Sequence, residues 1–279
     1  MLSISAIYTY PIKSLGGISL DNSVVTDRGL EHDRRWMLVD ANNRFVSQRE
    51  FHQMALLGVS IEDTGLRVTH KTTGENVFIP FVPVVNESCE VTVWDDTCSA
   101  VYVSDEVDAW FSKVLEISCR LVYMPDDSHR KTDEKYTSDG EITSFSDGYP
   151  FLLIGQASLD DLNSRIDEAL PMDRFRPNIV FTGGAPYHED ILKSFDINGI
   201  NFFGVKLCAR CVMTTINQNT AEKGKQPLKA LAGYRNKNKK ILFGQNIVHK
   251  GTGAIGVGDT LENITLHNEE RFLVNASPA

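Results

Sequence analysis

Alternation of apolar and polar residues with a period of two dominates the chain, and this pattern predicts short β-strands. The first such segment runs from Leu2 to Tyr10 and stops at Pro11. Similar segments recur at short intervals, separated by Gly, Asn and Asp. Because few helical patterns lie between them, the sequence predicts a β-rich α+β fold of barrels or sandwiches rather than a doubly wound parallel sheet.

Four turn signals between apolar segments predict β-hairpins. They lie at Ala41-Asn42-Asn43, Asp63-Thr64-Gly65, Asp95-Asp96 and Asn198-Gly199. The last is the strongest, because both of its residues tolerate a positive φ. Glycines within 247–261 predict two further short strands.

Three segments have the periodicity of helices. Ser104 is predicted to cap a helix over 105–117 that carries acidic residues in its first turn. Ser158 is predicted to cap a second helix over 157–170, and the third helix covers 228–235.

The clearest change in composition lies at 125–147, which holds few apolar side chains. One interpretation is a solvated linker between subdomains. The other is a mobile loop over a functional site, as long irregular segments often are.

Length and charge restrict the function classes. A chain of 279 residues predicts one large domain or two intertwined domains. The net charge of −9 disfavours binding to a nucleic-acid backbone, although an anionic ligand can bind where basic groups converge. An odd count of five cysteines, no signal-peptide pattern and no long apolar run lead us to expect a cytoplasmic protein with reduced thiols and no membrane insertion.

The stretch "KLCARCVMTTIN" raises four alternatives for Cys208 and Cys211: half a zinc site, a redox dithiol, a packed core pair, or one metal-binding thiolate with a neighbour. A zinc site lacks a second cysteine pair or closely spaced histidines. A redox dithiol normally starts a helix, whereas the flanks here predict strands. Arg210 between the cysteines favours a thiolate, which is a ligand for soft or high-valent metals.

Two further segments could bind an anion. In "YPIKSLGG", Lys13, Ser14 and exposed backbone N–H groups could hold an anionic oxygen, although a solvated turn explains them equally well. In "GLEHDRRWMLVD", extended backbone would place Arg34 and Arg35 on opposite faces, and the inward one would need an anion.

A third segment, "FRPNIV", predicts that Arg176 and Asn178 share a face where a strand begins. For each arginine the alternative is a surface salt bridge, which the acidic composition makes easy to form.

The order of these segments resembles the MOSC proteins (molybdenum cofactor sulfurase C-terminal domain) that carry an N-terminal β-barrel domain. The nearest resemblance is to mitochondrial amidoxime-reducing components and bacterial reductases of N-hydroxylated bases. It implies a MOSC N-terminal β-barrel domain at 1–120 and a MOSC β-barrel domain with a few helices at 121–270. The segments that carry it are "YPIKS", "GLEHDRRWMLVD", "SQRE", "WDD", "SDGYPFLLIGQASLDDLNSR", "FRPNIV", "CARCVMTTIN" and "VGD".

The resemblance also implies a cofactor, molybdenum held by molybdopterin, which is a pyranopterin phosphate. Cys211 would be the protein ligand to the metal, and Asp147 an acidic residue near it and a candidate proton carrier. Ala209 departs from the serine of some relatives. Pyridoxal phosphate binding is implied at the level of the family only. The positions that hold the cofactor would be Lys13, Ser14, Arg34, Arg176, Asn178 and Arg210.

The implied reaction is the two-electron reduction of small N-hydroxylated compounds, such as hydroxylamines and amidoximes, to amines or amidines and water. An iron–sulfur domain needs closely spaced cysteines, and none follow Cys211. We therefore expect a separate electron-donor protein, either a flavoprotein, a ferredoxin-like protein or a cytochrome b5-like protein. Two alternatives remain open: a carrier of the cofactor or of sulfur on Cys211, and a non-catalytic pterin-binding module.

Overall fold

A computed structural model of the chain describes residues 1–85, 87–137, 140–269 and 271. It confirms the predicted β-rich α+β fold class. The strands up to residue 123 are β1 (Ser3–Thr9), β2 (Ile18–Leu20), β3 (Asn22–Thr26), β4 (Gly29–Leu30), β5 (Trp36–Val39), β6 (Leu57–Glu62), β7 (Gly65–His70), β8 (Asn76–Pro80), β9 (Ser88–Val93), β10 (Asp96–Tyr102) and β11 (Arg120–Tyr123).

The later half continues this strand-rich pattern. Its strands are β12 (Arg130–Lys131), β13 (Ile142–Thr143), β14 (Phe151–Gly155), β15 (Ile179–Thr182), β16 (Leu192–Ile197), β17 (Ile200–Ala209), β18 (Asn236–Lys237), β19 (Lys240–Lys250), β20 (Gly253–Gly256) and β21 (Glu262–Leu266). The α-helices of the described residues are α1 (Asp105–Leu115), α2 (Gln156–Asn163) and α3 (Leu228–Tyr234).

The largest sheet joins both ends of the chain. Its order is β2-β1-β15-β14-β19-β17-β16-β21, with β18 paired to β19. The N-terminal strand β1 pairs antiparallel with β15, and β3 pairs antiparallel with β20. The first strands of the chain are therefore built into the sheets of its second half, and the boundary between 1–120 and 121–270 stays a prediction.

The middle of the first half forms smaller sheets around a core of its own. One has the order β5-β11-β10-β9 and another the order β6-β7-β8. Trp36, Leu57, Val68 and Phe111 pack in this core with almost no exposure to solvent. Helix α1 supplies Phe111, and β5 supplies Trp36, so the core fixes the segment that leads to the site described below.

The predicted hairpins form, with two adjustments. Asn198 and Gly199 both have positive φ, and they join β16 to β17 as expected. The turn predicted at Asp95-Asp96 lies one residue earlier, because Asp96 pairs with Val93 and Trp94 takes a positive φ. After β5, the turn at 41–43 is followed only by an isolated bridge from Val39 to Phe45.

The three α-helices lie in the segments predicted to be helical. Neither of the two serines predicted as N-caps makes a capping hydrogen bond. Ser104 is at the N-cap of α1, although its side chain makes no capping hydrogen bond. The prediction for Ser158 is wrong, because α2 starts at Gln156 and ends at Asn163. Ser158 is instead fully buried, where its Oγ donates to Glu189 and accepts from the Tyr187 N–H.

The polar stretch 125–147 is only partly solvated. Arg130 is 4% exposed, forms an ion pair with Asp96 at 2.7 Å and donates to the carbonyls of Ser144 and Ser146. Residues 138–139 lie outside the described part of this stretch. The solvated-linker interpretation is therefore wrong for Arg130 and for residues 143–146, which are buried.

None of the helices in the described ranges has the length and apolar character needed to cross a membrane.

Two glycines provide a matched test of packing in this fold. A Cβ on Gly204 in β17 would overlap the Gln245 side-chain amide and the Leu192 carbonyl, which hydrogen-bond to each other at 2.7 Å. We expect Gly204→Ala to lower the free energy of unfolding by about 2 kcal/mol or more.

The control is Gly233→Ala in α3, where a Cβ would meet no heavy atom within 4 Å. Alanine is the better helix former, so we expect stabilisation of roughly 0.5–1 kcal/mol. Urea unfolding of the two variants measures both changes. Equal effects would contradict this account of the sheet.

Candidate cofactor-binding site

One cavity collects all the predicted site residues. It lies where the loops after β1 and around Arg34 meet the segments before β14 and β15 and after β17. The predicted residues among its lining are Lys13, Ser14, Arg34, Asp147, Arg176, Asn178, Arg210 and Cys211. They come from both ends of the chain, and the β1–β15 pairing brings them together.

Lys13 is buried at the floor of this cavity. A parallel bridge between Ile12 and Trp36 fixes the loop, and Ser14 follows with a φ of 69°. The Lys13 ammonium, 6% exposed, donates to the Phe145 carbonyl and to Asp147 Oδ1, both at 2.7 Å. Burial lowers the pKa of Lys13 to about 8, against the opposing effect of Asp147. The solvated-turn alternative is therefore wrong for this residue.

Arg34 and Arg176 form a pair of guanidinium groups beside the same cavity. Their backbones have φ of 49° and 55°, so the extended conformation expected at Arg34 is not present. Arg34 donates to Asp33 Oδ2 at 2.6 Å and to the Arg176 carbonyl at 3.3 Å. Arg176 donates to the Leu15 carbonyl at 2.7 Å.

Arg35, as predicted, takes another direction from Arg34. Its guanidinium donates to the Met124 carbonyl and the Tyr123 hydroxyl, and it pairs with Asp126 at 2.7 Å. Only Arg34 of the two lines the cavity.

The side chain of Asn178 forms hydrogen bonds with three other residues of the protein. Its Oδ1 accepts from Arg34 at 3.0 Å and from the Leu152 N–H at 3.2 Å, and its Nδ2 donates to the Tyr8 carbonyl. It therefore ties β1, β14 and Arg34 together. This geometry favours a residue that positions Arg34 over one that contacts a ligand by itself.

The two cysteines have different neighbours, and this corrects the prediction for Arg210. Arg210 donates to Cys208 Sγ at 3.0 Å and to the Phe175 carbonyl, not to Cys211. The cation at Cys211 is Arg49, whose Nε lies 3.3 Å from Sγ. In an extended segment, side chains two positions apart lie on the same face and direct neighbours lie on opposite faces. Arg210 therefore contacts Cys208 and not Cys211.

The segment after Cys211 also differs from the prediction. Val212–Thr215 is a 3₁₀ helix rather than a strand, with Cys211 at its N-cap position. The β-rich flank that argued against a redox dithiol is therefore absent on this side.

Arg49, Trp94 and Asp147 form a second cluster, of which Arg49 and Asp147 line the cavity. Arg49 donates to Asp147 Oδ2 at 3.3 Å and stacks on the Trp94 ring at 4.2 Å. Trp94 Nε1 donates to Asp147 Oδ1 at 3.3 Å. Desolvation opposes ionisation of Asp147, but the charges of Lys13 and Arg49 outweigh it and hold the pKa of this carboxyl below its usual range.

Sequence reasoning missed Arg49, Trp94 and Arg174. The first two lie in "SQRE" and "WDD", segments that carried the resemblance but received no role. Arg174 is 7% exposed and donates to the Thr214 carbonyl at 2.9 Å. No local pattern signals these contacts, because the partners lie between 40 and 162 residues apart in sequence.

The cavity is strongly basic within an acidic protein. Its cationic lining residues are Lys13, Arg34, Arg49, Arg174, Arg176 and Arg210. Asp147 is the one carboxylate among the lining side chains of the described residues. An anionic ligand therefore meets a local field opposite in sign to the net charge of −9.

These residues fit an anionic cofactor that brings its own metal ligands. No cluster of three or more His, Cys, Asp or Glu that could hold a metal occurs within the described ranges. Cys211 offers a single sulfur, and the buried Arg210 Nε has no hydrogen-bond partner among the described residues. A phosphate-bearing group would satisfy this donor and the surrounding charges.

Comparisons with known proteins match both halves of the chain. Residues 1–118 match the MOSC N-terminal beta barrel domain, and residues 141–262 match the MOSC domain. Mitochondrial amidoxime-reducing component 1 of Mus musculus is 29% identical over 276 residues, which cover 92% of this chain and 81% of the relative. Mitochondrial amidoxime reducing component 2 of Rattus norvegicus is also 29% identical, with 92% and 82% covered.

A second group of relatives is longer. The molybdenum cofactor sulfurase of Solanum lycopersicum is 31% identical over 264 residues, which cover 86% of this chain but only 32% of the sulfurase.

The buried lysine predicts a pH-dependent stability. Its pKa is about 8 in the folded protein against an ordinary 10.5, so between these values the unfolded chain holds a proton that the folded chain has released. The free energy of unfolding therefore rises with pH in this window. We expect wild type to gain about 2 kcal/mol relative to Lys13→Met between pH 7 and pH 10.

Chemical denaturation of the cofactor-free proteins at both pH values measures this difference. A difference between wild type and Lys13→Met that stays constant with pH would show that Lys13 is not perturbed by burial.

Proposed function

The chain belongs to the proteins that join a MOSC N-terminal β-barrel domain to a MOSC domain, and from that membership we propose that it is a molybdenum-cofactor-dependent reductase of N-hydroxylated compounds. The observation that carries the proposal is a cavity in which two cysteines, Cys208 and Cys211, share the walls with six cationic side chains, and in which Cys211 is the cysteine in contact with Arg49. The names of the amidoxime-reducing relatives support the reaction class.

Different side chains of the cavity would bind the anionic part of the cofactor and its metal. Lys13, Arg34, Arg176 and Arg210 would hold the anionic cofactor by charge-assisted hydrogen bonds. Cys211 would be the protein ligand to molybdenum, because thiolates suit soft and high-valent metals. When bound, the molybdenum cofactor supplies the redox chemistry that removes oxygen from the substrate nitrogen. The overall reaction consumes two electrons and two protons and converts an N–OH group into N–H and water.

Asp147 is the one acidic side chain among the described residues that line the cavity. The carboxylate is held ionised by Lys13 and Arg49 and is 64% exposed, so solvent reaches it. A carboxylate in this state orders the neighbouring donors and accepts hydrogen bonds from substrate N–H groups. Its function as a proton carrier stays a prediction, and its two ion pairs count against it.

The proposed source of the electrons is a separate protein, and the similarity to the amidoxime-reducing components supports an electron-transfer partner. A flavoprotein, a ferredoxin-like protein and a cytochrome b5-like protein remain the candidate donors. Pyridoxal phosphate binding and a cytoplasmic location remain predictions from the sequence.

A carrier of the cofactor or of sulfur on Cys211 is the second candidate. The similarity to the tomato sulfurase favours it, although the chain spans only about a third of that protein. A carrier would hold its cargo but would not turn over an N-hydroxylated substrate.

Serine substitutions at the two cysteines test the assignment. Cys211→Ser replaces a sulfur ligand with a hydroxyl that stays protonated near neutral pH, so we expect a loss of about two orders of magnitude or more in reductase activity. The variant should retain part of its pterin, because the cationic residues remain. Benzamidoxime reduction by the reconstituted protein with a chemical electron donor, and its molybdenum and pterin content, provide the measurements.

Cys208→Ser is the matched control. Cys208 packs against the core and accepts a hydrogen bond from Arg210, so its loss should cost stability and only a few-fold in rate. Equal inactivation of the two folded variants with molybdenum retained would contradict the assignment of Cys211. A wild-type protein that retains molybdenum but reduces no N-hydroxylated compound would favour the carrier.

A further inference from the structure

The arginine pair beside the cavity shares an aromatic neighbour with no assigned role. Tyr10 is 1% exposed, and its ring lies 4.3 Å from the Arg34 guanidinium carbon and 4.2 Å from that of Arg176. Cations at this distance from a ring face are attracted by its quadrupole. One ring therefore serves both guanidinium groups.

The backbone fixes Tyr10 and Arg34 as one unit. The Arg34 N–H donates to the Tyr10 carbonyl at 2.9 Å. The Asp33 carboxylate accepts both from the Tyr10 N–H at 2.9 Å and from the Arg34 guanidinium at 2.6 Å. A Cβ on Gly17 would overlap the Tyr10 ring, so the glycine leaves the space that the ring occupies.

The Tyr10 ring contacts two positively charged groups, the guanidinium groups of Arg34 and Arg176. Arg34 has a carboxylate partner in Asp33, whereas the Arg176 guanidinium donates to a neutral carbonyl, that of Leu15. Burial lowers the pKa of Arg176 to about 10, and the nearby Arg34 charge adds to this lowering. The two groups need a neighbour that stabilises positive charge without neutralising it.

The hydroxyl of Tyr10 does not explain why the residue is there. It is buried and has no hydrogen-bond partner among the described residues. The contacts that the structure shows for the Tyr10 side chain are therefore those of its ring.

We propose that Tyr10 is a positioning residue for the anionic part of the cofactor, acting through the electron density of its ring on Arg34 and Arg176. The ring holds each guanidinium group in place before the anion arrives, so that binding requires little reorganisation of the two arginines. The inference rests on the proposed function only in taking the natural ligand to be phosphate-bearing.

Fluorinated phenylalanines at position 10 test the ring without changing its shape. Fluorine withdraws electron density from the ring face, so a cation–π contact weakens while packing is kept. The variants are Tyr10→Phe and replacements of Tyr10 by trifluoro- and pentafluorophenylalanine. Titration calorimetry of the cofactor-free proteins with inorganic pyrophosphate gives the affinity without any molybdenum chemistry.

We expect Tyr10→Phe to bind pyrophosphate within about twofold of wild type, and each step of fluorination to weaken binding, to about tenfold for the pentafluoro ring. The control is the replacement of Phe181, a core residue that is 1% exposed, by the same two fluorinated phenylalanines. These replacements should leave the affinity for pyrophosphate unchanged. Near-ultraviolet circular dichroism verifies that each variant is folded.

Three outcomes would overturn the proposal: wild type that binds no pyrophosphate, an affinity independent of fluorination, or a loss in Tyr10→Phe as large as in the fluorinated variants. The last would make the hydroxyl the important group. If the reductase proposal is wrong, benzamidoxime reduction is absent, but fluorination of residue 10 still weakens the binding of pyrophosphate. The two proposals can therefore fail independently.

Discussion

Mutual repulsion among the cationic side chains of one cavity is the constraint that organises this protein. Six of them line a space that also holds Cys211, and unpaired buried charge is costly. Three kinds of partner stabilise these positive charges: the carboxylates Asp33 and Asp147, the carbonyls of Leu15 and Phe145, and the ring of Tyr10. Since the carboxylates near these groups are fewer than the cationic side chains, the cavity keeps a positive field that attracts an anion.

Strand pairing between distant parts of the chain makes this concentration of charge possible. Strand β1 lies between β2 and β15 in the large sheet, which carries the Lys13 loop toward the segment of Arg176. A reciprocal pair of buried amides, Gln48 and Gln218, joins the two halves again, and Gln48 also donates to the Ser14 carbonyl at 2.6 Å. The site is therefore rigidly supported from both sides rather than built on one domain.

The sequence allowed much of this to be predicted where the determinant is local or where a family pattern carries it. The Asn198-Gly199 turn follows from two residues that tolerate positive φ, and the eight predicted site residues do line one cavity. The predictions failed where tertiary contacts decide. Ser158 has the chemistry of a cap, but a buried glutamate captures its hydroxyl. Arg49 is 162 residues from Cys211, so proximity in sequence pointed to Arg210 instead.

The β1–β15 pairing also has a consequence for the order in which the protein is made. Lys13 leaves the ribosome roughly two hundred residues before Cys211, which at about 5–20 residues per second is a delay of some ten seconds or more. For most of that interval β15 has not been made, so β1 cannot pair with it and the basic loop has no opposite wall. The full set of cationic and sulfur contacts for a cofactor thus exists only after the segment of Cys211 has been made, and until β15 emerges the nascent chain exposes an unpaired edge of β1.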